Sequence, residues 1–265
     1  MIRPLTLLFL LFPAVLQAET LRMAVTTSFH NSGLSDVLLP AIRDDTGLEV
    51  QLLVVGTGQA LRLGRAGDVD AILVHSKAAE EDFVAQGFAP HRRQIMYNDF
   101  VIIGPATDPL ALATLSTAAE AFGAIAAAEP AFVSRGDDSG THKKERSLWS
   151  EAGLDPDSFG PWYREVGAGM GASLNTASAL GALTLSDRAS WLKFQNKRDL
   201  GIVFEGDAAL FNQYSFLPVS AARHPHVKAK AAETLEAWLT GPRAQSLING
   251  YRLDGQTLFT FNAEP

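Results

Sequence analysis

LEVQLLVVGTGQALRLGRAGDVDAILVH, residues 48–75, alternates a strand, a helix and a second strand, and this alternation indicates the fold class. Residues 48–55 and 70–75 are rich in apolar and β-branched side chains, which is typical of buried strands. Between them, residues 58–67 have a helical pattern that ends at a glycine. Parallel strands need a long crossover that is usually a helix, so the pattern predicts a parallel βαβ unit.

The same alternation continues along most of the chain. Further strands are predicted at 20–25, 98–105, 131–135, 201–207 and 213–220, and helices at 32–47, 76–87, 118–127, 139–151, 172–186 and 226–241. Repeated strand–helix units place mainly parallel strands between layers of helices. We therefore expect an α/β fold.

Two domains, or lobes, are a fair expectation for a chain of 265 residues. Because no Pro- or Ser-rich linker separates the halves, the lobes are expected to be joined by strands that cross between them. DFVIIGP (99–105) and NQYSFLPV (212–219) are the best candidates. The prediction is a discontinuous first lobe, residues 19–101 and 216–265, and a second lobe, residues 102–215.

The amino terminus predicts export. Residues 1–18 contain a basic residue, an apolar run and a small residue at the end, which is the layout of a cleaved signal peptide. The apolar run is shorter than the ~20 residues that span a bilayer, and no later run approaches that length. The chain has no cysteine, so a disulfide framework is excluded and the mature chain must bury a substantial core.

The charge balance argues against nucleic acid and anionic membranes as partners. The chain carries 22 Lys and Arg against 29 Asp and Glu, a formal net charge of −7. An anion site in this chain must therefore work through local geometry. The 6 histidines show no metal-ligand spacing, so no metal and no cofactor is expected.

SRGDDSGT, residues 134–141, gathers hydrogen-bond donors at a predicted strand-to-helix junction. The first N–H groups of a helix have no partner within it and carry about half a unit of positive charge. The side chains add a fixed charge, two hydroxyls and a glycine that allows close approach: Arg135, Ser139, Thr141 and Gly140. This set suits an anion with several equivalent oxygens. The alternative is an ordinary helix cap, Asp138 or Ser139, with Arg135 paired to a surface carboxylate.

Two other predicted junctions carry similar residues. TTS (26–28) follows the first predicted strand, and GTG (56–58) follows the second. Ligands of open α/β sheets bind outside the carboxyl ends of the strands, where these segments are expected to meet. Gly, Ser and Thr are common in loops without any function, but the coincidence of three such junctions favours one site built from both lobes.

Several stretches, in order along the chain, resemble the periplasmic tungstate-binding proteins of ABC uptake transporters. They include VGTGQALRLGRAGDVDAILVH, RRQIMYNDFVIIGP, SRGDDSGTHKKE and EGD..LFNQY, and the resemblance covers most of the mature chain. It implies a two-lobed, type II periplasmic-binding fold that holds tungstate or molybdate in its cleft. It also implies an ABC permease as partner and a periplasmic, monomeric protein whose mature chain does not insert into the membrane.

Carried over position by position, the resemblance places ligand contacts in three segments. They are Thr27 and Ser28 in the first, Thr57 and Gly58 in the second, and Arg135, Ser139, Gly140 and Thr141 in the third. The family's first segment tends to read Thr-Thr-Thr-Ser-Thr, whereas residues 25–29 here read Val-Thr-Thr-Ser-Phe, which weakens the case for Thr26. Tungsten would be bound only as its oxyanion.

Phosphate and sulfate are the rival oxyanions. Phosphate keeps a proton near neutral pH, so a phosphate-selective site needs a carboxylate acceptor, which would repel tungstate. Asp137 or Asp138 could be that acceptor. We expect Arg135 to neutralise Asp137, or Asp137 to point away.

An exported hydrolase is the alternative from another class of protein. It needs a nucleophile and a base within hydrogen-bond reach of each other. In the sequence, the only starting points are His30 or His142 beside Ser28 or Ser139. We therefore expect a binding protein and not an enzyme.

Overall fold

Two β-sheets with helices on their faces form the framework of the protein. A computed structural model describes residues 19–264; the predicted signal peptide lies outside the described residues. The strands are β1 (Glu19–Thr26), β2 (Leu48–Val55), β3 (Ala71–Val74), β4 (Arg93–Pro105), β5 (Phe132–Ser134), β6 (Tyr163–Glu165), β7 (Leu183–Asp187), β8 (Leu200–Phe204), β9 (Phe211–Pro218), β10 (Arg252–Leu253), β11 (Gln256–Thr257) and β12 (Thr260–Phe261). The helices are α1 (Thr27–Ser32), α2 (Leu34–Thr46), α3 (Thr57–Ala66), α4 (Lys77–Ala85), α5 (Ala118–Ala128), α6 (Gly140–Glu151), α7 (Met170–Leu180), α8 (Arg188–Lys193), α9 (Ala229–Leu239) and α10 (Pro242–Gly250).

The first sheet contains the βαβ unit predicted at residues 48–75. β1 is parallel to both β2 and β3, so that Met23 lies opposite Leu52 on one side and Ala71 on the other. β3 pairs antiparallel with β9, which in turn pairs antiparallel with the first part of β4. The predicted parallel pairing is confirmed for the three strands at this end of the sheet.

The second sheet repeats this arrangement. β5 lies between β6 and β7 and is parallel to both. The second part of β4 pairs antiparallel with β7 and β8. Each sheet therefore combines three parallel strands, whose carboxyl ends share one edge, with antiparallel strands near the middle of the molecule.

Two strands connect the sheets. β4 pairs with β9 over residues 93–99, in the first sheet, and with β7 and β8 over residues 100–105, in the second. β9 returns the chain to the first sheet, where its residues lie opposite β3 and β4. These strands contain the crossing segments expected from the sequence. The division of the chain at residues 101/102 and 215/216 stays a prediction.

The helix predicted at residues 172–186 is wrong in its second half. α7 ends at Leu180 because Gly181 adopts a left-handed conformation, with φ of 60°. The following residues form β7, all of whose residues are buried. Leu183 and Leu185 alternate with Thr184 and Ser186, and the pairing of β7 with β4 on one side and β5 on the other makes this segment a strand.

The structure also differs from expectation just before the predicted helix at 32–47 and at the carboxyl terminus of the chain. Gly33, with φ of 85°, separates α1 from α2, so the helix begins earlier and is broken. Residues 242–261 form α10 and three short strands that the sequence did not indicate, and β12 pairs with β4.

Apolar side chains from strands and helices form the core on both faces of the sheets. In the core beside the second sheet, Trp149 packs edge-on against Phe122 and Phe132, and its ring centroid lies 4.4 Å and 5.3 Å from theirs. Such aromatic pairs add about 0.5–1.5 kcal/mol to the free energy gained from buried area. Within residues 19–264, no helix combines the length and the hydropathy needed to cross a membrane.

Candidate functional site

A cleft of about 820 Å³ lies at the carboxyl ends of the parallel strands. Its lining comes from the segments that follow β1, β2, β3, β5, β6 and β7, and thus from both sheets. The carboxyl ends of parallel strands are the usual place for a ligand in α/β proteins. The topology therefore brings segments that are distant in sequence to one place.

Helix N-termini surround this cleft. α3 begins at Thr57, α6 at Gly140 and α7 at Met170, and all three residues line the cleft. The caps of α3 and α7 are Gly56 and Gly169, which offer no side chain to the first-turn N–H groups. Those N–H groups are left to bind an anion, and each helix adds about half a unit of positive charge.

Most of the residues predicted to contact a ligand lie together in the cleft. Those that line it are Thr27, Ser28, Thr57, Arg135, Ser139, Gly140 and Thr141. Gly58 does not belong to the lining; it is exposed in the first turn of α3, directly after Thr57. Thr26 does line the cleft, and its Oγ1 accepts a hydrogen bond from the Phe29 N–H at 3.3 Å. A direct ligand contact stays a prediction for each of these residues.

Arg135 brings a guanidinium group to the cleft wall. Its Nη2 donates to Asp137 Oδ2, and Asp137 Oδ1 accepts from the Ser139 N–H at 3.2 Å. Burial by itself raises the pKa of Asp137, but hydrogen bonds from Ser139 and Arg135 outweigh burial and lower the pKa. The expectation that Arg135 neutralises Asp137 is confirmed. Arg135 Nε is buried without a hydrogen-bond partner in residues 19–264, so this group retains donor capacity.

Three polar neighbours hold the Ser28 hydroxyl. Ser28 Oγ lies 3.0 Å from Thr26 Oγ1, 3.1 Å from His75 Nε2 and 3.1 Å from the Tyr214 hydroxyl. Burial lowers the pKa of His75 to about 4, so its imidazole is neutral at pH 7. Burial also raises the pKa of Tyr214, which keeps the phenol protonated. Both rings are therefore neutral hydrogen-bonding partners of Ser28.

His75 and Asp187 both line the cleft, and neither was predicted from the sequence. His75 follows β3 directly and is the last residue of the strand predicted at 70–75, so its place at a strand end was a usable signal. Asp187 is buried at the end of β7, its Oδ1 accepts from the Ser190 N–H at 2.9 Å, and burial raises its pKa. It was hidden because β7 was predicted as helix. The Gly169–Met170–Gly171 segment also lines the cleft and was not assigned to the site from the sequence.

The two sides of the cleft touch each other at its rim. Lys193 Nζ of α8 donates to the carbonyl of Asn31 at the end of α1. Gly140 approaches His75 so closely that a Cβ at position 140 would lie 2.8 Å from His75 Cε1. Since α6 and α8 pack on the second sheet and α1 on the first, these contacts join the two walls.

The site is better suited to binding an anion than to holding a metal or performing acyl transfer. Across residues 19–264, no group of three or more His, Asp or Glu side chains is placed to hold a metal ion. The serine–histidine pair of the cleft is Ser28 with His75, not with His30 or His142 as the sequence suggested. With a pKa of about 4, His75 is a weak general base at neutral pH.

Comparison with known proteins shows the family. The chain matches the PBP superfamily domain over residues 15–243. It is 45% identical over 245 residues to the tungstate-binding protein TupA of Peptoclostridium acidaminophilum, a match that covers 91% of this chain and 85% of the relative. The structure of TupA from Desulfovibrio alaskensis G20 superposes with a TM-score of 0.87 at 47% identity, covering 93% of this chain and 100% of that one.

A second solved structure supports the same conclusion. The tungstate ABC transporter structure from Geobacter sulfurreducens superposes with a TM-score of 0.79 at 46% identity, covering 88% of this chain and 99% of that one. The fold is the type II periplasmic-binding fold implied by the sequence. Since these likenesses include both sheets and every segment that lines the cleft, the protein belongs to the PBP superfamily and, within it, to the family of the tungstate-binding proteins TupA.

Proposed function

We propose that this protein is an extracytoplasmic solute-binding protein that captures tungstate, or the similar anion molybdate, and delivers it to an ABC permease. The observation that carries the proposal is the convergence of donor groups from three separate segments on one cleft. The 45% identity to a tungstate-binding relative supports the choice of ligand. The predicted signal peptide at 1–18 supports a periplasmic location.

The chemistry of the lining fits a tetrahedral dianion that can only accept hydrogen bonds. Hydroxyls of Ser28, Thr57, Ser139 and Thr141 and the guanidinium of Arg135 are available on the cleft walls. Hydrogen bonds to a charged group contribute about 1.5–3 kcal/mol each, so a few suffice for tight binding after the ordering costs. We assign the predicted contacts, including the backbone of Gly58 beside Thr57, to this role.

Phosphate is the second candidate because a buried carboxylate faces the cleft. Asp137 is paired with Arg135, and Asp138 is exposed with its Oδ1 3.4 Å from Lys143 Nζ. Asp187, in contrast, lines the cleft and could accept the proton of hydrogenphosphate. The pairing of Asp137 with Arg135 favours tungstate, and the position of Asp187 favours phosphate.

A panel of oxyanions tests the proposal. Thermal unfolding of the mature protein is followed with tungstate, molybdate, sulfate and phosphate at equal concentrations, and Kd is measured by titration calorimetry. Ligand at 100 times its Kd stabilises the folded state by about 2.7 kcal/mol. For a chain of this size we expect tungstate to raise Tm by about 5–10 °C. Phosphate binding as tight as tungstate binding would refute the assignment.

The hydrolase alternative has a direct test of its own. We expect no turnover of chromogenic ester or phosphoester substrates above that of buffer, because His75 is a weak base and the Ser28 hydroxyl is held by three neighbours. Turnover that disappears in Ser28→Ala would show an enzyme instead of a binding protein.

A further inference from the structure

The Ser28 hydroxyl has as many polar neighbours as it has hydrogen-bonding capacities, so a bound anion must take the place of one neighbour. A serine hydroxyl offers one hydrogen to donate and two lone pairs to accept. Thr26 Oγ1, His75 Nε2 and the Tyr214 hydroxyl all lie within 3.1 Å of Ser28 Oγ. An anion in the cleft can receive only the hydrogen of Ser28. The binding-competent arrangement is therefore one in which two of the neighbours donate to Ser28 and use its lone pairs.

Tyr214 is placed to be the first of these donors. It is fully buried in the middle of β9, and its ring packs against His75, Phe29 and Phe259, with centroids 4.8 Å, 6.3 Å and 5.8 Å away. These contacts leave the phenol little freedom. Its hydroxyl is neutral, so it retains a hydrogen for Ser28 Oγ.

His75 is placed to be the second donor. The neutral imidazole carries one N–H, and with that proton on Nε2 it donates to Ser28 Oγ at 3.1 Å. Thr26 Oγ1 already accepts from the Phe29 N–H and can accept the Ser28 hydrogen in the absence of a ligand. When an anion is bound, the Ser28 hydrogen turns from Thr26 to the anion.

We propose that Tyr214 and His75 are positioning residues that occupy both lone pairs of the Ser28 hydroxyl, so that Ser28 can donate to an oxyanion but cannot accept from one. The inference rests on the proposed function and adds a specificity determinant to it. An oxyanion that carries a proton, such as hydrogenphosphate, finds no acceptor at Ser28. Fully deprotonated tungstate needs none.

The acidic side chains in the cleft act in the opposite direction, because a carboxylate can accept the proton of hydrogenphosphate. Asp187 Oδ1 is used by the Ser190 N–H, and Asp36, the other acidic residue of the lining, belongs to α2. Both carboxylates are left unchanged in the variants below. A change in selectivity on altering Tyr214 is therefore attributable to Ser28.

Tyr214→Phe tests the proposal, with Tyr97→Phe as the matched control. Tyr97 lies on β4 and stacks on Phe211 at 4.7 Å, away from the cleft lining. The Kd of tungstate is measured by calorimetry, and the Kd of phosphate by displacement of tungstate. Tyr214→Phe exposes one lone pair of Ser28, so we expect the ratio of the phosphate Kd to the tungstate Kd to fall about tenfold. Tyr97→Phe should leave this ratio unchanged.

If Tyr214 only stabilised the fold, Tyr214→Phe would weaken the binding of both anions equally. An unchanged ratio of the phosphate Kd to the tungstate Kd in Tyr214→Phe would therefore overturn the proposal. A second measurement needs no ligand. The ¹⁵N shifts of the wild-type imidazoles at pH 7, with His75 assigned from the signal lost in His75→Gln, should show the proton on Nε2. A proton on Nδ1 would also overturn the proposal. Failure of wild-type protein to bind tungstate, with the proton on Nε2, would refute the proposed function and leave the donation to Ser28 supported.

Discussion

At the scale of single residues, Arg135 brings a fixed positive charge to the lining of the cleft. It pairs with Asp137 through Nη2, while its Nε has no partner in the described part of the chain. Arg135→Ala removes a charge-assisted donor worth about 1.5–3 kcal/mol. We expect the tungstate Kd measured by calorimetry to rise about 10- to 100-fold. The Tm without ligand should change little, because Asp137 still accepts the hydrogen bond from the Ser139 N–H.

Arg146→Ala is the matched control for this prediction. Arg146 lies on α6, the helix that follows Arg135 along the chain. It pairs with Asp157 at 2.8 Å, near the surface and outside the cleft lining. Its loss should leave the tungstate Kd unchanged. Equal tungstate binding by Arg135→Ala and wild type would remove Arg135 from the site.

Asp187→Asn separates the two candidate ligands. The amide oxygen of asparagine can still accept from the Ser190 N–H, so the cap of α8 is kept while a negative charge is removed from the cleft. We expect tungstate binding to be retained or strengthened. If phosphate were the natural ligand with Asp187 as acceptor of its proton, phosphate binding would be lost instead. Calorimetry with both anions distinguishes the outcomes.

The residues of the site divide into those that the sequence could reveal and those that it could not. Thr27, Thr57 and Gly140 follow strands as small residues at helix starts, which is a local pattern. Tyr214 could not be found in this way, because it reaches Ser28 only through the pairing of β9 with β3, where Leu217 lies opposite Ile72. Such long-range pairing leaves no local signal.

At the scale of secondary-structure elements, α6 connects the cleft to the apolar core beside the second sheet. Its first residues line the cleft, whereas Glu145, further along, is buried. The Glu145 carboxylate accepts hydrogen bonds from the Tyr163 hydroxyl at 2.7 Å and from Trp149 Nε1 at 3.2 Å. These bonds favour the charged form, but burial is the larger effect and raises the pKa of Glu145 to about 7.

The raised pKa of Glu145 makes folding stability depend on pH. The folded state holds the proton up to about pH 7, whereas the unfolded state releases it near the ordinary carboxyl pKa of about 4.3. The contribution of Glu145 is thus fully present below that pKa and is lost as pH rises to 7. Glu145→Gln keeps an acceptor without the charge. We therefore expect the free energy of unfolding of the variant, relative to that of wild type, to rise by about 3 kcal/mol from pH 4 to pH 8.

Urea unfolding at several pH values measures this difference, since effects of other groups cancel between the two proteins. Glu151→Gln, at the exposed end of α6, is the control and should follow wild type at each pH. A constant difference between Glu145→Gln and wild type would show that the pKa of Glu145 is the same in the folded and unfolded states.

The elements themselves were predicted where the local pattern was unambiguous. The strand–helix–strand unit at residues 48–75 was confirmed because apolar strands and a glycine-terminated helix are distinct local patterns. β7 was missed because its five residues are too few for the alternation of apolar and polar side chains to stand out from the helical pattern before it. Only its pairing on both sides with β4 and β5 decides for a strand, and that pairing is not local.

At the scale of the whole molecule, the two sheets share β4, and β9 returns the chain from one to the other. A cleft whose walls belong to different sheets can widen or narrow by bending at these strands, as in other two-lobed binding proteins. In this structure the walls are in contact, through Lys193 with Asn31 and through Gly140 with His75. Ligand affinity then depends on how closely the walls approach.

Gly140→Ala tests this dependence. A Cβ at position 140 would lie 2.8 Å from His75 Cε1, so the His75 ring or the wall that carries it must move away from α6, and overpacking of this kind costs about 1–3 kcal/mol. Because Gly140 starts α6 with a negative φ, alanine introduces no backbone strain; without ligand the walls can relieve the contact by moving apart, so the Tm of the free protein should not fall. We expect the tungstate Kd to rise about tenfold or more, and the radius of gyration from X-ray scattering with saturating tungstate to exceed that of wild type.

Gly123→Ala on α5, where a Cβ would meet nothing within 4 Å, is the matched control and should change neither the Kd nor the radius of gyration. If Gly140→Ala bound tungstate as tightly as wild type, the approach of Gly140 to His75 would not belong to the ligand-bound form.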